Sequence, residues 1–469
     1  MFNYTATYTD QYQLTMAQVF FQNGRSHHRA VFDYFFRKLP FGGGYAILAG
    51  IEDLLDILEA LRFSDHDLSF LLRTGFSAGF VDYLKDFRFT GCIRSSAEGD
   101  LVFPYRPVLQ VEADIIEAQI IETLLLNLLN FQTLIATKAS RMKLAAADRK
   151  LIDFGLRRAQ GPAGYYASRA AVIGGFDATS NVLAGIDYGI PVSGTMAHSF
   201  VQSYDDELSA FRDFARERPD DCVLLVDTYN TLRSGMLNAI TVGKEMAGTG
   251  GHLKGIRLDS GDLAYLSKEC RRMLDDAGLD NVQIAASNQL DEYVIKSLME
   301  QRAPIDVFGV GTSMVIGRPD AALDGVYKLA FSDGKPRIKV SETAGKTTLP
   351  HKKQVYRIKN STGQCIGADV ISLPDEHDVP VMFHPMDPLK SLPLKGFIQE
   401  PLLMTVFEAG RRTAPARPLE EIAEYSQNRL NELPAEYKRF ENPHLYKIGI
   451  SETLKHERDR LIEHHKTQL

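Results

Sequence analysis

The sequence predicts an α/β protein whose central part closes into an irregular barrel of parallel strands. One observation is a series of short apolar runs from about Arg141 onward: Leu151–Phe154, Pro191–Val192, Val223–Val226, Gly255–Leu258, Val282–Ala285 and Asp306–Phe308. A second is that helical stretches separate these runs, the alternation expected of βαβ units. A third is that each run ends in its own polar set: GLRRAQG, SGTMAHS, DTYNTLRSG, DSGD, SNQLDE and GVGTS. Six or seven such units suit a barrel better than an open doubly wound sheet, which is the alternative. In a barrel the carboxyl ends of the strands share one mouth, so the polar sets converge there.

The elements before the barrel mix helix and strand. Thr9 and Asp10 precede a helical pattern that runs to Phe21. Val31–Phe36 alternates as a strand, Phe41–Gly44 is a glycine-rich turn, and Gly91–Pro107 reads as β structure. A long helix through Leu129 ends this part. The most apolar stretch, Ile115–Ile135, carries Glu117, Gln119, Glu122, Asn127 and Asn130, so a buried helix is expected rather than a membrane span. After about Ala330 the pattern turns antiparallel: Lys335–Val340, Lys353–Ile358 and Gln364–Val370. A proline-rich connection and a charged helical tail from about Pro418 follow. The expected division is 1–138, 139–335 for the barrel, and 336–469.

Composition narrows the function. A chain of 469 residues with 44% hydrophobic and 24% charged residues is ordinary for a soluble globular protein, and its length predicts two or more domains. A net charge of -7 argues against nucleic acid or an anionic membrane as partner. The four cysteines, Cys92, Cys222, Cys270 and Cys365, form no CxxC pair. They suit a reducing, cytoplasmic setting rather than a disulfide framework or thiolate metal site. The first residues, MFNYTATYTDQYQLTM, lack the basic and apolar regions of a signal peptide.

Four polar sets can carry chemistry. Gly309–Ser313, GVGTS, places small residues where a strand turns into a helix, a phosphate cradle by virtue of exposed backbone N–H groups. Such turns also arise for steric reasons alone. In GIRLDSGDL, Arg257 and Asp259 are two apart and share one face of a strand. There they offer an anion partner and a metal or hydroxyl partner, or else a buried ion pair. Asp262 is placed to cap the next helix. Phe154, Arg157 and Arg158 at one strand end combine a planar ring with forked cations, suited to a flat aromatic anion. His198 follows a Gly-Thr turn and can act as base, ligand or phosphoryl acceptor. No second histidine stands at zinc-ligand spacing.

Taken together, TDQYQLTM (9–16), FFRKLPF (35–41), FGLRRAQG (154–161), GGFDATSNVLAG (174–185), GTMAHSF (194–200), DTYNTLRSG (227–235), GIRLDSGDL (255–263), SNQLDE (287–292) and GVGTS (309–313) resemble the nicotinate phosphoribosyltransferase family over nearly the whole chain. The resemblance implies an irregular α/β barrel packed on an α/β sandwich built from both ends of the chain. It implies a homodimer with a shared active site. It also implies that nicotinate, 5-phosphoribosyl 1-diphosphate and ATP are consumed in NAD synthesis with Mg2+ assisting, to give nicotinate mononucleotide, diphosphate, ADP and phosphate.

Carried over by motif, Tyr12 (from the partner subunit) and Phe154 sandwich the pyridine ring. Arg157, Thr195 and Arg257 contact nicotinate or the phosphoribosyl group, and Ser180 faces the nicotinate carboxylate. Asp227 and Asp259 face the ribose or the magnesium–diphosphate, with Asp259 the metal-side residue. Gly194, Gly311 and Thr312 hold the phosphoribosyl group, and His198 is the residue that ATP phosphorylates. A nicotinamide phosphoribosyltransferase of the same fold and a non-enzymatic regulator on the same barrel are the rival readings. A metal-dependent hydrolase or aldolase would need clustered ligands or a Schiff-base lysine at a strand end, and neither is present.

Overall fold

A computed structural model describes residues 4–341, 344–387 and 389–467. The last two residues of the expected helical tail lie outside these. The chain divides into two compact units, one made of residues 1–137 with 322–469 and the other of residues 138–321.

The unit of residues 138–321 holds a six-stranded parallel sheet. Its strands are β1 (Lys150–Asp153), β2 (Ala178–Thr179), β3 (Val223–Leu225), β4 (Gly255–Leu258), β5 (Gln283–Ser287) and β6 (Val307–Val310). The order across the sheet is β2-β1-β6-β5-β4-β3. This is a cyclic order with one break, between β2 and β3, so the barrel is irregular and open there. Pro191–Val192, expected as a strand, makes only an isolated parallel bridge from Val192 to Thr179. Its backbone exchanges two bonds with Thr179, to Pro191 O at 3.0 Å and from Ser193 N at 2.9 Å. Pro191 has no N–H to extend the ladder. The two-residue β2, by contrast, is too short to leave a period in the sequence.

One face of this sheet is dry. Leu151, Leu224, Ile256, Leu258, Ile284 and Phe308 are fully buried, as period-two alternation requires of residues beneath a helical layer. The polar sets then begin helices. Asn181 accepts from Ala184 N, Asp262 from Tyr265 N, and Asp291 from both Tyr293 N and Val294 N. The expected cap at Asp262 is therefore present, and each capping side chain satisfies an orphan donor of the first turn.

The other unit contains a seven-stranded antiparallel sheet. Its order is Lys335–Pro336, Gly325–Ser332, Arg29–Phe36, Leu109–Asp114, Cys92–Ser95, Met404–Glu408 and Arg411–Arg412. Residues 322–335, grouped with the barrel from sequence, fall here because Gly325–Ser332 pairs with Ala30–Phe36. A six-stranded mixed sheet contains Gln354–Lys359, Cys365–Ser372 and Lys447–Ile450. The tail is two helices, Leu419–Glu432 and Glu452–Thr467. Arg429 of the first, nearly buried, binds Asp100 at 2.8 Å. Arg357 binds the same carboxylate at 2.6 Å, and the two guanidinium groups hold Asp100 well below the usual carboxylate range, to about 2, against the effect of burial.

The long helix expected through Leu129 runs from Glu122 to Ala146, with neither Gly nor Pro in its sequence to stop it. Among the described residues no helix is long and apolar enough to cross a membrane. All four cysteines are free, and burial pushes the thiols of Cys222 and Cys270 up to about 12.

This long helix carries the cations of a buried cluster. Lys138 donates to Glu292 at 2.5 Å and Arg141 donates to it at 2.9 Å, with all three side chains almost wholly removed from water. Burial lowers the Lys138 ammonium below its ordinary value, and the Glu292 charge opposes that shift. Glu292→Ala removes the carboxylate that both of these buried cations bind. It is expected to cost roughly 3–5 kcal/mol in denaturant unfolding; a loss below about 1 kcal/mol would show that water or another acid replaces Glu292.

Candidate active site

The polar clusters meet where β4 and β5 end. Arg257, on the inner face of β4, is held on three sides. Its Nε donates to Ser287 Oγ at 2.9 Å, one Nη to Thr195 Oγ1 at 3.1 Å, and the other to Asp259 Oδ1 at 3.0 Å. Ser287 also donates to Asp259 Oδ1. Its guanidinium carbon lies 5.3 Å from the centre of the Phe154 ring, a cation–π distance. The arginine is only 15% exposed, so its charge acts in a partly desolvated setting where pairing is stronger.

Asp227 follows β3 and Asp259 follows β4. Asp227 Oδ2 accepts from Asp259 N at 2.9 Å and from Ser260 Oγ at 2.6 Å. Its other oxygen, Oδ1, is buried and has no hydrogen-bond partner. A buried carboxylate oxygen left in this state costs free energy unless a cation or donor arrives. His198, 41% exposed at the start of a short helix, has Nε2 at 3.9 Å from Asp227 Oδ1 and 3.8 Å from Asp259 Oδ2. Its Nδ1 lies within hydrogen-bond distance of Thr228 Oγ1, at 3.2 Å.

The turn after β1 is fixed from below. Asp153, fully buried, accepts from Gly155 N at 2.7 Å, Ser168 Oγ at 2.7 Å and Thr179 Oγ1 at 2.8 Å. Burial raises its carboxyl above the ordinary value and these three donors oppose the rise. Phe154 then lies against β6 at Gly309, where an added Cβ would stand 2.4 Å from a ring carbon. Only glycine lets the ring take this place.

Of the residues expected from sequence, Phe154, Thr195, Arg257, Asp259, Asp227 and His198 form this connected group. Gly194 lines the same cavity, about 500 Å³ in volume, as Phe154 and Arg257. Ser180 follows β2 and its N–H donates to Asp153 O at 2.8 Å. Arg157 is exposed on the short turn Leu156–Arg158. Gly311 precedes the four-residue helix that Thr312 begins. Tyr12 is half exposed on the helix Gln11–Gln22 of the other unit. Sequence reasoning missed Ser287 and Thr228, although both lie inside motifs it singled out, and it missed Asp153.

Family models match the chain in three segments: the nicotinate phosphoribosyltransferase N-terminal domain over residues 7–130, the family itself over 149–363, and its C-terminal domain over 352–458. A nicotinate phosphoribosyltransferase of Bacillus subtilis is 45% identical over 455 residues, covering 95% of this chain and 92% of the relative. One from Bos taurus is 35% identical and covers 97% of this chain and 96% of its own. The crystal structure of human nicotinic acid phosphoribosyltransferase superposes with a TM-score of 0.87 at 32% identity, covering 97% of this chain and 99% of that one. The chain belongs to the nicotinate phosphoribosyltransferase family.

Proposed function

We propose that the chain joins nicotinate to the phosphoribosyl group of 5-phosphoribosyl 1-diphosphate, with ATP hydrolysis coupled through His198. The observation that carries this is the Arg257 cluster. It places a partly desolvated guanidinium over an aromatic ring beside two carboxylates, one with an oxygen free of partners. A flat aromatic anion and a cation-bearing diphosphate are the ligands that such a set complements.

Phe154 and Arg257 hold the pyridine carboxylate end, with Thr195 and Ser180 donating hydroxyls. A hydroxyl at 180 accommodates a carboxylate as well as an amide, whereas an acid there would repel it. Asp227 and Asp259 would hold Mg2+ together with diphosphate oxygens. No group of three or more acidic, His or Cys side chains fit for a metal occurs among the described residues. That suits a cation bound by one or two carboxylates and its substrate. The cation would neutralise charge on the departing diphosphate. Gly311 and Thr312 serve the 5′-phosphate, and Arg157 the approaching anions.

The pyridine nitrogen donates its lone pair to the anomeric carbon. The carbon–oxygen bond to diphosphate breaks, and diphosphate leaves with that electron pair. The nitrogen carries no proton near neutral pH, so no general base is required. The protein's task is to align the reactants and to stabilise an oxocarbenium-like transition state beside its carboxylates. His198 takes the terminal phosphoryl group of ATP and releases ADP. Hydrolysis of the phosphohistidine to phosphate accompanies turnover.

Four outcomes are expected. His198→Ala keeps slow synthesis of nicotinate mononucleotide but loses its stimulation by ATP; full stimulation would exclude the residue as acceptor. In the same assay nicotinate is used at least about tenfold better than nicotinamide, and equal use would favour the nicotinamide reading. Gly309→Ala pushes Phe154 off its seat and lowers kcat/KM for nicotinate by roughly a hundredfold with unchanged circular dichroism; unaltered kinetics would remove Phe154 from the site. If Tyr12 is supplied by the partner of a homodimer, mixing Tyr12→Ala with Arg257→Ala subunits restores up to about a quarter of the native activity, the statistical share of intact sites. A fully active monomer would refute the shared site.

A further inference from the structure

The cavity that begins at Phe154 and Arg257 extends beyond them along the inner face of the parallel sheet. Strand register shows how. Lys150, Val307, Ala285 and Arg257 stand opposite one another in adjacent strands, as do Gln283, Gly255 and Val223. These two rows share the face that carries Ile152, Phe154 and Gly309. The neighbouring residues on the opposite face are fully buried, but Ile152, Val223, Ala285 and Val307 remain partly exposed. A closed barrel fills this space with layers of branched side chains. Here the layer is incomplete: Gly255 has no side chain and Ala285 only a methyl group, while at Gly309 the Phe154 ring takes the space. The far end is lined by Lys150, Asp221, Lys254 and Gln283, all exposed.

The cavity lies on the pyridine side of the site. Its described lining includes Phe154, Thr195 and Arg257 but not Asp227, Asp259, His198 or Gly311. A volume of about 500 Å³ is in the range that encloses ligands of drug size, well beyond a single ring with one carboxylate. The reacting nitrogen must face the sugar, on the side of Asp227 and Asp259. The ring carbons remote from the nitrogen therefore face down the channel.

We propose that the enzyme accepts pyridine-3-carboxylates bearing a compact apolar group on ring carbon 5, with that group lying over Ala285 and Val307. This rests on the reading of Phe154 and Arg257 as the pyridine-binding end. The reaction is unchanged: the ring nitrogen displaces diphosphate from the anomeric carbon, and the product is the 5-substituted mononucleotide.

The test compares nicotinate, 5-propylpyridine-3-carboxylate and 6-propylpyridine-3-carboxylate as substrates of the complete enzyme with 5-phosphoribosyl 1-diphosphate and ATP. The 5-propyl acid is expected to be converted with kcat/KM within about tenfold of nicotinate, and the 6-propyl acid, whose chain points at the sugar, at least about a hundredfold more weakly than nicotinate. Ala285→Leu narrows the channel. It is expected to leave nicotinate within about threefold and to lower use of the 5-propyl acid by about tenfold or more. If Ala285→Leu loses nicotinate turnover as well, Val307→Leu takes its place with the same expectation. Refusal of the 5-propyl acid by an enzyme that uses nicotinate overturns the channel proposal alone, as does equal loss of both substrates in both variants. Failure of the unmodified enzyme to use nicotinate would instead overturn the reading on which it rests.

Discussion

Arg257 is the interaction on which the site depends. A guanidinium presents donors in a rigid plane, and here each side of that plane is given a different segment: Ser287 at the end of β5, Thr195 in the loop beside the open edge, and Asp259 on its own strand's extension. The aromatic face of Phe154 takes the remaining approach. A lysine could hold one of these segments but not fix their mutual angles. The second carboxylate is reached through the backbone, since the amide of Asp259 anchors Asp227. One cation therefore sets the positions of the ring, both acids and, through them, the surroundings of His198.

The same strand-end segments also begin helices, and the two tasks fall on different residues. In DSGD, Asp259 faces the site and Asp262 caps the helix. In SNQLDE, Ser287 faces the site, Asp291 caps, and Glu292 turns into the buried cluster with Lys138 and Arg141. The spacing keeps the residue that faces the site apart from the residue that caps the helix. It also explains why motifs several residues long are needed to specify what is one functional side chain in each.

That division governs what could be read in advance. Arg257, Asp259, Asp227 and His198 stand in compact local motifs, so their types and spacing were informative. Ser287 was hidden because its role exists only across β4 and β5, a neighbour relation absent from the linear chain. Asp153 looked like an ordinary strand residue; its importance comes from complete burial beneath the turn that carries Phe154. Five of the parallel strands fell within a residue or two of their expected positions. Pro191–Val192 did not form one because proline cannot donate to a ladder, and Ala178–Thr179 was too short to leave a period. The long helix through Leu129 continues to Ala146 because nothing in its sequence punctuates it. Residues 322–335 were misgrouped because pairing with Arg29–Phe36 links positions about 300 apart.

That pairing has a consequence for how the protein comes into being. Arg29–Phe36 waits for Gly325–Ser332, and Cys92–Ser95 waits for Met404–Glu408. During synthesis at about 5–20 residues per second, the early strands spend roughly 15–60 s without these neighbours. The intervening unit is contiguous in the chain, so it can complete its own sheet while the first strands still lack theirs. Val31, Tyr34 and Phe36, fully buried in the finished sheet, are exposed through that interval. The nascent chain is thus most prone to aggregation before its final third emerges, and a chaperone that shields apolar strands acts in that window.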